Sequence, residues 1–573
     1  MEKLLVCIIF ALSLPSFNSC RQVIASDDGA AFQYKDIYLP GNNRGEAKAL
    51  GLNNLDTDWG LWGHNLGRIL PKDHSRSVYA TIDGRMNTEQ FCFSSERLFQ
   101  YIEDYISDHY GEERTTRFAI LPNDNNVVCL CMNCINKGCT YNDASPAVNS
   151  MIRRLAERFP KHIFFTSDYL TTRSVPTDSM PSNSGVLISA INYYLCANAT
   201  TREEEMKALL NRWGAVTRNI YVWDYINNFD DYFSPYPVFT VMQRRLQLYR
   251  DAGVRGIFLN GSGSEYSTFS RIKTHVLTAL MRDPDIDWKH KLLTTCHELY
   301  PVAGDVIAQY MMKQEEFLQA NGKILPMYEG VENSRKSYLN EEDFIAFHNK
   351  LRQLLPQCKD TEYDEVSLMY KAMLLTRLEF MRIHADVKGA DAMLDQLEGI
   401  AAQGVKFYSE SYWTVDNYIA DYRGMLQDAR EQKKHDRLVG KKLTALTPLD
   451  ADYTDVSILT DGLCGLPHNY HCGNLISSAD PWLRIAIPNG GELHHIRVSM
   501  VRNVQAHIGI PKLVKISSGD TEIGSLEPPK MTEINGRSIV EFAIPFHING
   551  TIVITIVRDK EERTMAIDEI SGW

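Results

Sequence analysis

The chain is expected to be an α/β protein: a (β/α)8 TIM-like barrel, then a helical domain, then a C-terminal antiparallel β-sandwich. Three observations predict this. Short apolar runs alternate with amphipathic segments over residues 33–268, helical spacing takes over across 269–440, and residues 443–573 alternate apolar and polar between Gly-rich turns. At 573 residues the chain is too long for one small core, so several domains are expected.

In the first region the candidate strands are 77–82, 117–121, 162–167, 185–191, 219–223 and 256–259. The helices expected between them are 96–110, 147–159, 202–215 and 238–252. Ser94 or Ser95 can cap the first of these helices. A βα rhythm of this kind predicts parallel strands joined by right-handed crossovers. Counting weaker runs nearer the N-terminus gives six to eight units, hence the barrel. The alternative is an open doubly wound sheet, but no Gly-rich nucleotide loop follows any strand. Helices are then predicted over 271–281, 302–320, 341–355, 365–384, 390–403 and 414–431, with Asn340 ahead of Glu341-Glu342-Asp343 as a strong helix start. Strands are predicted over 483–487, 492–500, 512–517, 538–544 and 551–557, where Trp482 and the Asp461-Gly462 turn are the suggestive surface residues.

The N-terminus reads as an export signal. Lys3 precedes an apolar stretch from Leu4 to Leu14, and small polar residues lead to Cys20. This pattern resembles a bacterial lipoprotein signal, with residues 1–20 as the leader and Cys20 as the lipidation site. A plain secretory signal is the alternative. The expected location is the bacterial cell envelope, anchored to a membrane through Cys20. A net charge of −12 with no long basic run excludes a nucleic-acid partner. No protein partner can be inferred.

Candidate site residues come from the C-terminal ends of the predicted strands, where barrel enzymes place their chemistry. The stretch Tyr221 to Val238 is the most suggestive, because rings beside amides and carboxylates suit a sugar: its CH faces stack on rings and its hydroxyls need polar partners. Asp124, Asp224 and Glu265 are the candidate catalytic carboxylates. Trp62, His64, Arg68, Asn123, Asn192, Trp223, Tyr225 and Asn260 are the candidate substrate-binding residues. Glycoside cleavage needs an acid for the leaving oxygen and a partner for the oxocarbenium-like centre; a 2-acetamido group on the substrate can supply the second role. A strand-end Asp can equally cap a turn. A Ser/His/Asp hydrolase is set aside, since the chain has no G-x-S-x-G elbow.

Cys129, Cys131 and Cys134, with Cys139 beyond, have metal-like spacing. In an exported chain a disulfide-braced loop is the stronger expectation, so no metal and no cofactor are assigned; any zinc here would be structural.

These residues carry a resemblance. Trp62-Gly63-His64 with Pro71, Gln90-Phe91-Cys92-Phe93-Ser94, Asn123-Asp124-Asn125 with the three cysteines, Val222-Trp223-Asp224-Tyr225, Gly253 to Phe258 and the Asp283-Pro284-Asp285 turn resemble the uncharacterised-domain family numbered 4838. That family is common in exported lipoproteins of glycan-degrading Gram-negative bacteria. It is related to glycoside hydrolase family 163, whose members are endo-β-N-acetylglucosaminidases acting on complex N-glycans. The resemblance implies an exported glycoside hydrolase acting on GlcNAc-containing host glycans or glycoproteins. The C-terminal sandwich is similar to galactose-binding-like modules. One departure bears on activity: many members carry a Glu just after the strand that ends in Phe258, where this chain has Leu259 and Asn260. The alternative reading is therefore a non-catalytic glycan-binding lipoprotein on the same fold, and a third is a structural scaffold.

Overall fold

The computed structural model describes residues 29–40, 46–198, 201–322, 324–432, 435–489, 493–504, 506–527, 532–534, 537–544, 550–559 and 564–573. The expected leader and Cys20 lie outside the described residues.

The first region holds strands β1 (Tyr34–Tyr38), β2 (Trp59–Leu61), β3 (Tyr79–Ile82), β4 (Arg85–Phe91), β5 (Arg117–Ala119), β6 (Ile163–Asp168), β7 (Ser184–Ser189), β8 (Leu195–Cys196), β9 (Asn219–Tyr225) and β10 (Gly256–Asn260). Seven of them form one parallel sheet in the order β1-β10-β9-β7-β6-β5-β2. This is barrel order, but the sheet is curled rather than closed, and it corrects the expectation of eight strands. Among the described residues β1 and β2 are its two edges. The rings of Tyr34 on β1 and Trp59 on β2 nevertheless meet at 6.1 Å across the concave side. The seam between them is filled by non-strand chain: Asn53 exchanges hydrogen bonds with Lys35, and the Leu55 N–H donates to the Asp36 carboxylate at 2.7 Å.

The run expected as a first barrel strand, 77–82, lies elsewhere. It forms an antiparallel hairpin of β3 with β4 outside the main sheet. Its sequence has strand propensity without any mark that distinguishes hairpin from barrel.

Helices α1 (Glu46–Ala49) and α2 (Leu55–Asp58) join β1 to β2. The crossovers that follow are α3 (Glu96–His109), α4 (Met132–Asn136), α5 (Ser145–Arg158), α6 (Thr201–Gly214) and α7 (Phe239–Asp251). The Ser95 hydroxyl accepts from the Leu98 N–H and caps α3. Helix α8 (Ser270–Arg282) packs against β1, so the outer layer of the sheet continues past residue 268.

Period-two alternation assigns each sheet residue to a face. Tyr34, Trp59, Ala119, Phe165, Leu187, Tyr221 and Phe258 form one buried cluster on the concave side. Gly256 leaves room there, since a Cβ at this position would stand 2.5 Å from the Tyr221 ring. The alternate residues, including Val186, Ile188, Ile220, Val222, Ile257 and Leu259, face the helices. That outer core runs on without a break into the helices of residues 288–432, which therefore pack directly on the sheet. The expected helix over 365–384 is two, Asp360–Ala372 and Leu374–Ile383, and Trp288–Leu299 is a further helix that the sequence reading lacked.

Two sheets, of five and six strands among the described residues, follow, antiparallel throughout except where Ile508–Gly509 runs parallel to Thr564–Gly572. Ile485, Ile487, Ile552 and Ile554 of one face Ile496, Val498, Val540 and Ile567 of the other across a shared core, giving a sandwich. No helix among the described residues is long and apolar enough to cross a membrane.

Candidate functional site

The C-terminal ends of the parallel strands form a mouth whose floor is aromatic. Tyr38 ends β1, Trp62 follows β2, Trp223 lies on β9 and Phe258 on β10. Ring centroids are 4.0 Å apart for Trp223 and Phe258, 6.2 Å for Trp62 and Trp223, and 6.3 Å for Tyr38 and Trp62. Phe258 is buried, whereas Tyr38, Trp62 and Trp223 keep part of their surface open. Beneath them Tyr34, Trp59, Phe165 and Tyr221 fill the sheet interior, so the concave side is a plugged core with an aromatic top.

Polar groups surround this floor. Desolvation raises the pKa of the Asp56 carboxyl, while the nearby Trp62 and Arg68 side chains pull it the other way. Burial pushes the Tyr38 phenol up to about 12, helped by Asp56 and by Tyr412, which arrives from the helical region. The loop after β10 sits on the end of β1: the Gly263 N–H donates to the Tyr38 carbonyl at 3.0 Å, and a Cβ on Gly263, whose φ is +65°, would crowd the Tyr38 ring at 2.9 Å. Glu265 follows in this loop. Desolvation raises its pKa, while Ser264 and Lys406 pull the other way. Glu410 is held by Tyr328, whose hydroxyl donates to it at 2.9 Å, and both Glu410 and Glu265 act on the buried Tyr232 hydroxyl.

The expected site residues divide. Trp62, Trp223 and Asn260 lie at the mouth, whereas Tyr225, the register partner of Asn260, is buried against Phe229 with its hydroxyl bonded to Ser189 at 3.2 Å, which corrects its expected place as a sugar-stacking ring. His64 packs on Tyr169 and bonds the Pro122 carbonyl at 2.6 Å, tying the loop after β2 to the loop after β5. Arg68 is exposed and near enough to act on Tyr38 and Asp56. Asn123 is held in place: its amide donates to the Glu89 carbonyl at 2.8 Å and its backbone is gripped by Gln90. Asp124, beside it, is half-buried. Asn192 is exposed on the loop after β7.

Asp224 stands apart from this group. It pairs in register with Leu259, so its side chain faces the helices, opposite to Trp223. There it is 1% exposed, takes two 3.0 Å bonds from Arg245 and one of 2.6 Å from the Tyr249 hydroxyl, both on α7. Arg245 reaches on to the Tyr193 and Tyr194 carbonyls. A carboxylate so enclosed positions α7 and the loop after β7. This corrects its expected place as a catalytic carboxylate.

Sequence reasoning missed Tyr38, Asp56, Lys406, Glu410 and Tyr412. Only Ser409-Glu410-Ser411-Tyr412-Trp413, a polar and aromatic alternation like that after Trp223, offered a signal.

The cysteines also depart from expectation. All ten described cysteines are free thiols, where a disulfide-braced loop was expected. Cys92, Cys129, Cys131 and Cys134 converge, with every sulfur within 4.8 Å of the other three.

Residues 54–312 match the model of a domain of unknown function, DUF4838. Among solved structures the chain is similar to a family GH115 4-O-methyl-α-glucuronidase with specificity for decorated arabinogalactans, at 10% identity over 84% of this chain and 67% of that one, TM-score 0.36. It is also similar to a GH138 enzyme targeting pectin rhamnogalacturonan II, at 7% identity over 87% and 79%, TM-score 0.28. The lectin domain of lectinolysin, complexed with Lewis B antigen, is similar over 24% of this chain and 94% of its own, at 10% identity and TM-score 0.19. No curated protein matches the chain.

Proposed function

We propose that this protein is a glycoside hydrolase whose site is the aromatic mouth of the curled sheet. The observation that carries the reading is the part-open surface of Tyr38, Trp62 and Trp223 at the strand ends, against which the loop that carries Glu265 packs through Gly263. Stacked rings supply the apolar faces that a pyranose needs, and the surrounding carboxylates and amides take its hydroxyls. Glu265 is the general acid: desolvation favours its protonated form, the form that can protonate a leaving oxygen. Asp124, on the loop after β5, or the acetamido carbonyl of the substrate fills the second role. Trp62 and Trp223 stack on the sugar, while His64, Arg68, Asn123, Asn192 and Asn260 contact its polar groups. The substrate class is GlcNAc-containing glycan of the complex N-glycan type, met outside the cell by a protein anchored to the envelope through Cys20.

The second reading, a glycan-binding lipoprotein without catalysis, is favoured by Asn260, which occupies the end of β10 where the resemblance implies a Glu. Sugar release from a complex N-glycoprotein, followed across pH, separates the two. If Glu265 is the acid, release falls as pH rises through its raised pKa, and Glu265→Gln lowers kcat by about 10²–10⁴-fold. Saturable binding without release would support the second reading.

A further inference from the structure

The four converging thiols lie apart from the mouth and take no part in the function proposed above. They come from two segments. Cys92 follows β4, Cys129 and Cys131 lie in the loop after β5, and Cys134 lies within α4. Cys92 lies 3.7 Å from Cys131 and 3.8 Å from Cys134, sulfur to sulfur. A disulfide needs about 2.05 Å, whereas the edge of a sulfur tetrahedron around zinc, with Zn–S near 2.3 Å, is about 3.8 Å. The separations therefore have the size of a metal-centred tetrahedron. Cys92, Cys129 and Cys134 are buried and Cys131 is half-buried, as in a closed structural site rather than an open catalytic one. Backbone and side-chain partners already orient the sulfurs: the Thr81 N–H donates to Cys129 Sγ at 3.2 Å, and Cys134 Sγ lies 3.2 Å from the Ser94 hydroxyl.

We propose that Cys92, Cys129, Cys131 and Cys134 form a tetrathiolate site for one zinc ion. On binding, the four thiols release their protons to solvent and the thiolates become the ligands. Cys139 is the spare, its thiol turned to the Ala144 carbonyl. The ion ties the end of the β3–β4 hairpin to the segment that follows Asp124, fixing the loop after β5 independently of what binds at the mouth.

The test is metal analysis and thiol counting on the full chain as purified. The expected result is one zinc per chain, with these four thiols reacting only after chelation, and a chelator that lowers Tm. Exchange with Co²⁺ should give the ligand-field bands of tetrahedral tetrathiolate cobalt. Cys131→Ser and Cys134→Ser should each lose stoichiometric zinc. Because those variants can misfold, the cobalt spectrum of the unaltered chain stands as the independent readout. Failure of the reduced wild-type chain to take up zinc or cobalt, or a peptide map showing disulfides among these four residues in folded protein, would overturn the proposal.

Discussion

At the scale of single residues, the pleat of β9 decides where the carboxylate of Asp224 stands, whereas Glu265 is carried by the loop after β10. Tyr221 and Trp223 alternate with Val222 and Asp224, so one strand delivers the Trp223 ring to the mouth and a carboxylate to the helix layer. Asp224 thereby keeps the buried Arg245 charged despite desolvation. Asp224→Asn should leave that guanidinium uncompensated and cost about 3–5 kcal/mol of stability; thermal denaturation would show this, with loss of activity following loss of fold. Trp62→Ala acts differently. It removes a part-open ring from the mouth and should weaken glycan binding about tenfold, with little change in Tm, as titration calorimetry would measure. The alternation that separates these roles was already legible in the sequence. Strand-end position alone did not reveal it, because the last residues of a strand still obey the pleat. The distant partner of Glu265 was not legible: Lys406 lies more than a hundred residues away and meets it only through the helical packing.

Among elements, the join between the helices and the sandwich rests on buried polar side chains. Arg382 of helix Leu374–Ile383 pairs with Asp461 and donates to the Leu463 carbonyl, and the Asn469 amide donates to Glu379 at 2.9 Å. His471 bonds Asp230, in the loop after β9, at 2.8 Å. Burial, with Asp231 nearby, pushes the Glu379 carboxyl up to about 8. A raised carboxyl pKa means that the folded state holds a proton the unfolded state has released. Its contribution is present below the ordinary carboxyl range and is lost as pH rises from there to about 8. Stability should therefore fall across that window by up to about 1.4 kcal/mol per pH unit, and Glu379→Gln should flatten the fall, measured as denaturation midpoints from pH 5 to 9. These contacts join residues far apart in sequence, so no local pattern announces them. Helix starts were different. Ser94 or Ser95 and Asn340 read as helix starts, and in the structure the Ser95 and Asn340 side chains accept from the Leu98 and Asp343 amides.

At the scale of the whole molecule, the order of elements was readable and the closure of the sheet was not. The β9 and β10 runs, the helical middle and the sandwich strands each carry their own periodicity. β1 and β2 are short and interrupted, and their neighbours are chosen by the curl, which brings Tyr34 against Trp59 and leaves residues 53–58 in the seam. The same curl gathers Tyr38, Trp62 and Trp223 from three separated segments into one surface.

Hydrolysis of a complex N-glycoprotein by the purified full chain, wild type against Glu265→Gln, tests the proposed site most directly. The account predicts sugar release by the wild type and a loss of about 10²–10⁴-fold in the variant, whose Tm and glycan binding stay near wild type. Release that survives both Glu265→Gln and Trp62→Ala, or a wild type that neither cleaves nor binds the glycan, would contradict it.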